Sequence, residues 1–229
     1  MSNSDNLSLN KKNIDTVLVL DFGSQYTQLI ARRIRELNVF SLILPWDVSA
    51  EKIKSHNPSG VILSGGPESV TESNTPRIPK IIFELDIPIL GICYGMQTLA
   101  EQFGGQVSSS KNKEFGHAQI LLENPSLLFD GFSSGSSIDV WMSHGDHVST
   151  LPDEFNLIAS TASAPIAAME HLQKPIYALQ FHPEVTHTKH GNTVLENFTL
   201  KICKCSAQWK MENLIEQRID EIKEKVGDQ

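Results

Sequence analysis

The sequence predicts an α/β protein: a mainly parallel central sheet flanked by helices, with additional antiparallel strands in the second half. Two observations carry this expectation. From Val17 to Phe103, short apolar runs alternate with stretches of helical periodicity, as when strands are buried on both faces by crossover helices. After His117 the apolar runs are short and separated only by turn residues, as in antiparallel pairing.

The elements follow in order. Val17 to Leu20 reads as a buried strand ending at Asp21. Gln25 to Leu37 places Leu29, Ile30, Ile34 and Leu37 on one helical stripe. Val39 to Leu44 is a second strand, stopped by Pro45, and Ser49 to Ser55 a short helix capped by Ser49. Gly60 to Leu63 is a third strand that runs into Ser64-Gly-Gly-Pro67, and Pro76 to Leu85 is a helix. Ile87 to Leu90 is a fourth strand, followed by a helix over Met96 to Phe103. His117–Leu122, Ser137–Met142, Leu157–Thr161, Ile166–His171 and Ile176–Phe181 are the later strands, added to the sheet or packed at its side. Asn192 to Ile202 reads as a returning helix, and Trp209 to Val226 as an amphipathic one.

Composition narrows the class. The chain has 229 residues, enough for one large domain with a tail. A net charge of −8 argues against a nucleic-acid surface. No apolar run reaches the roughly 18–20 residues of a membrane span. The polar start, Met1 to Lys12, has no apolar core of a secretory signal and reads as a disordered tail. Three cysteines, Cys93, Cys203 and Cys205, fit a reducing, cytoplasmic setting rather than a disulfide framework. Cys203 and Cys205 are too close for an unstrained bridge and read as structural.

Chemistry enters at Gly91-Ile-Cys-Tyr-Gly95, where a strand turns sharply into a helix with a thiol at the turn. This is the cysteine counterpart of the Gly-x-Ser-x-Gly nucleophile elbow. The positive end of the following helix favours a thiolate at Cys93. The bland alternative is a buried cysteine at a strand end. Phe181-His-Pro-Glu184 supplies the second half: in an extended segment His182 and Glu184 project to one face, so the carboxylate orients the imidazole. Cys93, His182 and Glu184 thus read as nucleophile, base and orienter. The N–H of Tyr94, next after the nucleophile, is placed to face a developing oxyanion. His182, His187 and His190 match no familiar metal-ligand spacing, so no metal is expected.

With the elbow, the Phe-His-Pro-Glu segment and the Ser-Gly-Gly-Pro turn in one chain, the sequence resembles the triad-type (class I) glutamine amidotransferases, which have a flavodoxin-like fold. Asp21-Phe-Gly-Ser-Gln-Tyr26, Trp141-Met-Ser-His-Gly-Asp146 and Ile202-Cys-Lys-Cys205 resemble the GMP synthase branch of that family. The resemblance implies hydrolysis of L-glutamine to glutamate and ammonia through a glutamyl thioester on Cys93. It implies the N–H of Gly65 as second oxyanion donor. It also implies Gly66, Gln97, Ser143, His144 and Asp146 as substrate contacts, the last three from a Met-Ser-His-Gly-Asp turn. It divides the chain into a tail (1–15), an amidotransferase domain (16–207) and a linker helix (208–229). That linker would lead toward an ATP pyrophosphatase (synthetase) domain, whose Ser-Gly-Gly-Val-Asp-Ser loop the chain lacks. No cofactor is implied for the glutaminase domain; ATP and Mg belong to the synthetase domain, where the ammonia would aminate XMP to GMP. The full-length protein is implied to be a homodimer. Two rivals stand: an amidotransferase for anthranilate or carbamoyl-phosphate synthesis, and a non-catalytic regulatory domain on the same fold.

Overall fold

The computed structural model describes residues 14–210. Most of the expected N-terminal tail and nearly all of the expected linker helix lie outside the described residues. Among the described residues, nine strands form one sheet. In chain order they are β1 (Thr16–Asp21), β2 (Phe40–Pro45), β3 (Gly60–Leu63), β4 (Ile89–Ile92), β5 (Gln106–Leu122), β6 (Ser137–Thr150), β7 (Phe155–Ser160), β8 (Ala168–His171) and β9 (Ile176–Leu179). In space the order is β2-β1-β3-β4-β9-β8-β7-β5-β6. The five strands from β2 to β9 pair in parallel, and every pairing beyond β9 is antiparallel. The later strands therefore extend the sheet rather than pack at its side. The parallel half has the doubly wound order of flavodoxin-like folds, which opens a crevice at the carboxyl ends of its strands.

Alternation along β1 shows how both faces are covered. Val17 and Val19 pack with Ile30 and Ile34 of α1 (Thr27–Glu36) and with Val194 and Leu195 near the C-terminal end. Leu18 and Leu20 pack on the other face with Ile53 of α2 (Ala50–Ser55) and with Ile81 and Ile82 of α3 (Lys80–Glu84). Leu99 of α4 (Tyr94–Gln102) joins that second core. Ser49 caps α2 as expected, accepting from the Lys52 N–H at 3.3 Å.

Several elements depart from expectation. The helix over Pro76–Leu85 shrinks to α3, because Pro76 and Pro79 bias the residues before them away from helical backbone and Pro79 itself is extended (ψ 134°). The helix over Asn192–Ile202 splits into α5 (Gly191–Glu196) and a π-helical turn, Asn197–Ile202. At that changeover the Asn197 amide donates to the carbonyls of Leu128 and Asp130, at 3.1 and 2.8 Å. β5 and β6 run far beyond the apolar segments that announce them, to 17 and 14 residues. They form an edge hairpin held by backbone pairing, so polar composition does not end them. As a result Met142-Ser-His-Gly-Asp146 is strand, not turn. The chain finally returns to the sheet edge beside β2: the Trp209 N–H donates to the Asn38 carbonyl at 2.8 Å, and its ring lies against Phe40.

Candidate active site

The carboxyl ends of β1, β3, β4 and β9 border a cleft of about 630 Å³ that holds Cys93, His182 and the expected substrate contacts Gly66, Gln97, Ser143, His144 and Asp146. Cys93 sits between β4 and α4 with φ +53° and ψ −106°, a conformation costly for a residue with a Cβ. Its surroundings hold it there. The Cys93 N–H donates to the Leu179 carbonyl at 2.7 Å, and the Gly95 N–H to the Ser64 carbonyl at 3.1 Å. A side chain on Gly95 would meet the Leu63 carbonyl oxygen at 2.5 Å, so only glycine lets α4 start this close to β3. The helix begins at Tyr94, two residues earlier than the sequence suggests, so Cys93 stands at its N-cap, next to the positive end of the helix. The Sγ is 3.6 Å from the Ser143 carbonyl oxygen and 3.7 Å from Gln180 Nε2.

His182 and Glu184 meet as expected, but through different backbone. β9 stops at Leu179, and His182-Pro183-Glu184 enters a turn rather than an extended segment. Proline and the bonds that follow it bend the chain, and the imidazole Nδ1 still lies 2.7 Å from Glu184 Oε1. The turn is clamped from several sides. The His182 N–H donates to the Trp141 carbonyl, and Thr188 Oγ1 donates to the His182 carbonyl while accepting from the Trp141 N–H. Arg33 of α1 donates through Nε to the Glu184 carbonyl at 3.0 Å, and the Tyr26 ring stands edge-on to the imidazole at 5.2 Å. Burial works to lower the His182 pKa, but hydrogen bonds and charge at Cys93 and Glu184 outweigh it and carry the value well above that of a free imidazole. The arrangement favours the protonated, imidazolium form of His182.

Gly65 follows β3 and faces the gap between Cys93 and His182. A Cβ there would lie 3.3 Å from His182 Cε1 and 3.7 Å from the Cys93 Cβ. Gly66 has no room for a side chain either, with the Phe22 carbonyl oxygen 2.7 Å from that position. Gln97 is buried, and its Nε2 donates to the Asp146 carbonyl at 2.7 Å. Asp146 also takes a short hydrogen bond from Ser69, which ties β6 to the loop after β3. His144 is buried with Nε2 3.1 Å from Glu114 Oε2; burial lowers its pKa and Glu114 only partly offsets this. Among the described residues, no group of three or more His, Cys, Asp or Glu side chains is arranged to hold a metal ion, and His187 stacks on Trp141 instead.

Sequence reasoning missed Gln180, Arg33, Ser69 and the exposed Phe115 at the cleft wall. Gln180, two residues before His182, carried a usable signal in its spacing. Arg33 and Ser69 carried none, because their partners lie 151 and 77 residues away.

Comparison with known proteins agrees with this geometry. The family model "Glutamine amidotransferase class-I" matches residues 18–202. A protein of Hamiltonella defensa named GMP synthase [glutamine-hydrolyzing] is 53% identical over 225 residues, covering 95% of this chain and 43% of that protein. One of the same name from Teredinibacter turnerae is 54% identical over 217 residues, covering 92% and 41%. The chain thus spans less than half the length of these curated relatives. A solved structure from Thermoplasma acidophilum, described as that of a candidate GMP synthase component, superposes with a TM-score of 0.75 at 36% identity, covering 83% of this chain and 94% of that one. A glutamine amidotransferase from Thermotoga maritima shares the fold at TM-score 0.60 and 23% identity, with 93% of each chain covered. No helix among the described residues is long and apolar enough to cross a membrane. The family match and the convergence of elbow and base lead to one conclusion: the chain belongs to the class I glutamine amidotransferases.

Proposed function

We propose that this chain is the glutaminase part of a glutamine-hydrolysing GMP synthase, with residues 16–207 as the amidotransferase domain and 208–229 as the linker to a synthetase domain. The observation that carries the reading is the buried His182–Glu184 pair at 2.7 Å beside a thiol held on a strained elbow. Cys93, as thiolate, attacks the side-chain amide carbon of L-glutamine. The N–H groups of Tyr94 and Gly65 hold the oxyanion, one such donor being worth about 3–4 kcal/mol. The C–N bond then breaks, the nitrogen leaves as ammonia with the proton of the His182 imidazolium, and a glutamyl thioester remains. His182, now neutral, takes a proton from water, which attacks the thioester and releases glutamate and the thiolate. Glu184 keeps the ring in one tautomer. Gly66, Gln97, Ser143, His144 and Asp146 surround the substrate, Gln97 through its hold on the Asp146 backbone.

In this reading the ammonia passes to a synthetase domain that uses ATP and Mg to aminate XMP, in a cytoplasmic, homodimeric full-length enzyme. Ammonia release from glutamine tests the core of it: Cys93→Ala and His182→Ala abolish release, and a Cys93→Ala protein as active as wild type overturns it. The isolated chain is expected to be weakly active. A synthetase half supplied with ATP, Mg and XMP should raise its rate.

A further inference from the structure

Gln180 lies against the nucleophile, and the triad chemistry makes no use of it. It follows the last residue of β9 and is fully buried. Its N–H is bonded to the Ala167 carbonyl at 2.8 Å, which fixes the residue where the parallel and antiparallel halves of the sheet meet. Its side-chain Nε2 reaches to 3.7 Å from the Cys93 Sγ, while its Oε1 is buried with no hydrogen-bond partner among the described residues. A half-satisfied amide in the core costs stability, which points to a use for the end that is satisfied.

The sulfur has neighbours of opposite character. The Ser143 carbonyl oxygen, at 3.6 Å, can only accept, so it suits the thiol, whose S–H it takes. The Gln180 amide N–H can only donate, so it suits the thiolate. We propose that Gln180 is a further catalytic residue, the donor that biases the Cys93 sulfur from thiol to thiolate. The proton balance is internal: the S–H bond breaks, an N–H bond forms on His182, and the net charge of the pair is unchanged. The same N–H meets the sulfur again when it leaves the thioester as thiolate. The inference rests on the reading of Cys93 as nucleophile.

The test is alkylation of Cys93 by iodoacetamide across pH 5–9 in the full chain, read on the Cys93 peptide by mass spectrometry so that Cys203 and Cys205 do not contribute. The other titratable groups facing the cleft stay as they are: His182 with Glu184, Tyr26, His144 and Asp146 from β6, and Glu68 and Glu72 from the loop after β3. Gln180→Met removes the donor at similar volume, and Gln180→Glu replaces it with an acceptor of the same shape. Both should move the low-pH limb of the rate upward, by about one pH unit for Met and more for Glu. At pH 6 this is about a tenfold slower alkylation, with the high-pH plateau kept. A purely structural role would lower the melting temperature and leave the limb in place, so a wild-type limb in either folded variant overturns the proposal. If wild type itself alkylates with the profile of a free thiol, the nucleophile reading fails, and the proposal with it.

Discussion

Gly191→Ala perturbs the site without touching any reacting group. Gly191 opens α5, and a Cβ built there would lie 1.9 Å from the Pro183 carbonyl oxygen and 2.7 Å from the Pro183 carbonyl carbon. Both atoms are backbone, so no side chain can swing aside. Real Cβ atoms stay at least 3.0 Å from such neighbours, so the two segments must part by 1.1 Å. Pro183 stands between His182 and Glu184, so the displacement falls on that hydrogen-bonded pair. Misplacement by about 1 Å costs on the order of 10²-fold in rate, and overpacking costs about 1–3 kcal/mol. At about 2–4 °C per kcal/mol for a domain of this size, the melting temperature drops by several degrees. Steady-state ammonia release and thermal unfolding followed by circular dichroism read the two effects separately. A folded Gly191→Ala protein with the lower melting temperature but a wild-type kcat would refute the reasoning, because the turn would then have absorbed the methyl without moving the triad.

Further outcomes follow from the same geometry. Glu184→Gln keeps the shape but removes the charge at Nδ1, so kcat should fall by about 10⁴ and the His182 titration, followed by NMR, should move down; an unmoved titration would remove Glu184 from its role. Ser69→Ala cuts the tie between the loop after β3 and Asp146; the KM for glutamine should rise up to about tenfold with kcat kept, and a fall in kcat alone would contradict this. His182 has its folded pKa raised above the unfolded value of about 6.5, so the stability it contributes is complete below that value and is lost as pH rises through the folded one. Urea midpoints of wild type and His182→Gln should therefore converge toward alkaline pH, and parallel curves would sink the assignment.

That Cys93, His182 and Glu184 meet at one cleft was legible because each announces itself locally: Cys93 between glycines at a strand-to-helix turn, His182 and Glu184 around a proline. The parallel half was legible because strands buried on both faces are apolar throughout. The long hairpin was not. Its strands run through Ser108, Ser109 and Gly145, residues of poor strand propensity, and backbone pairing at a sheet edge overrides composition. Arg33 escaped because its contact depends on which element becomes a neighbour. Nothing near Arg33 in sequence foretells that α1 will lie under the Glu184 carbonyl.

The position of β9 also bears on how the enzyme comes into being. The last of the described strands to be synthesised is a central one, inserted between β4 and β8, and the residue that follows it, Gln180, meets the Cys93 thiol across 87 residues of chain. Until Leu179 has left the ribosome, the parallel and antiparallel halves share no ladder. Contacts this distant in sequence close late in folding. Cys93 therefore stays without its His182 neighbour until β9 has taken its place, and the cleft is complete only when the sheet is.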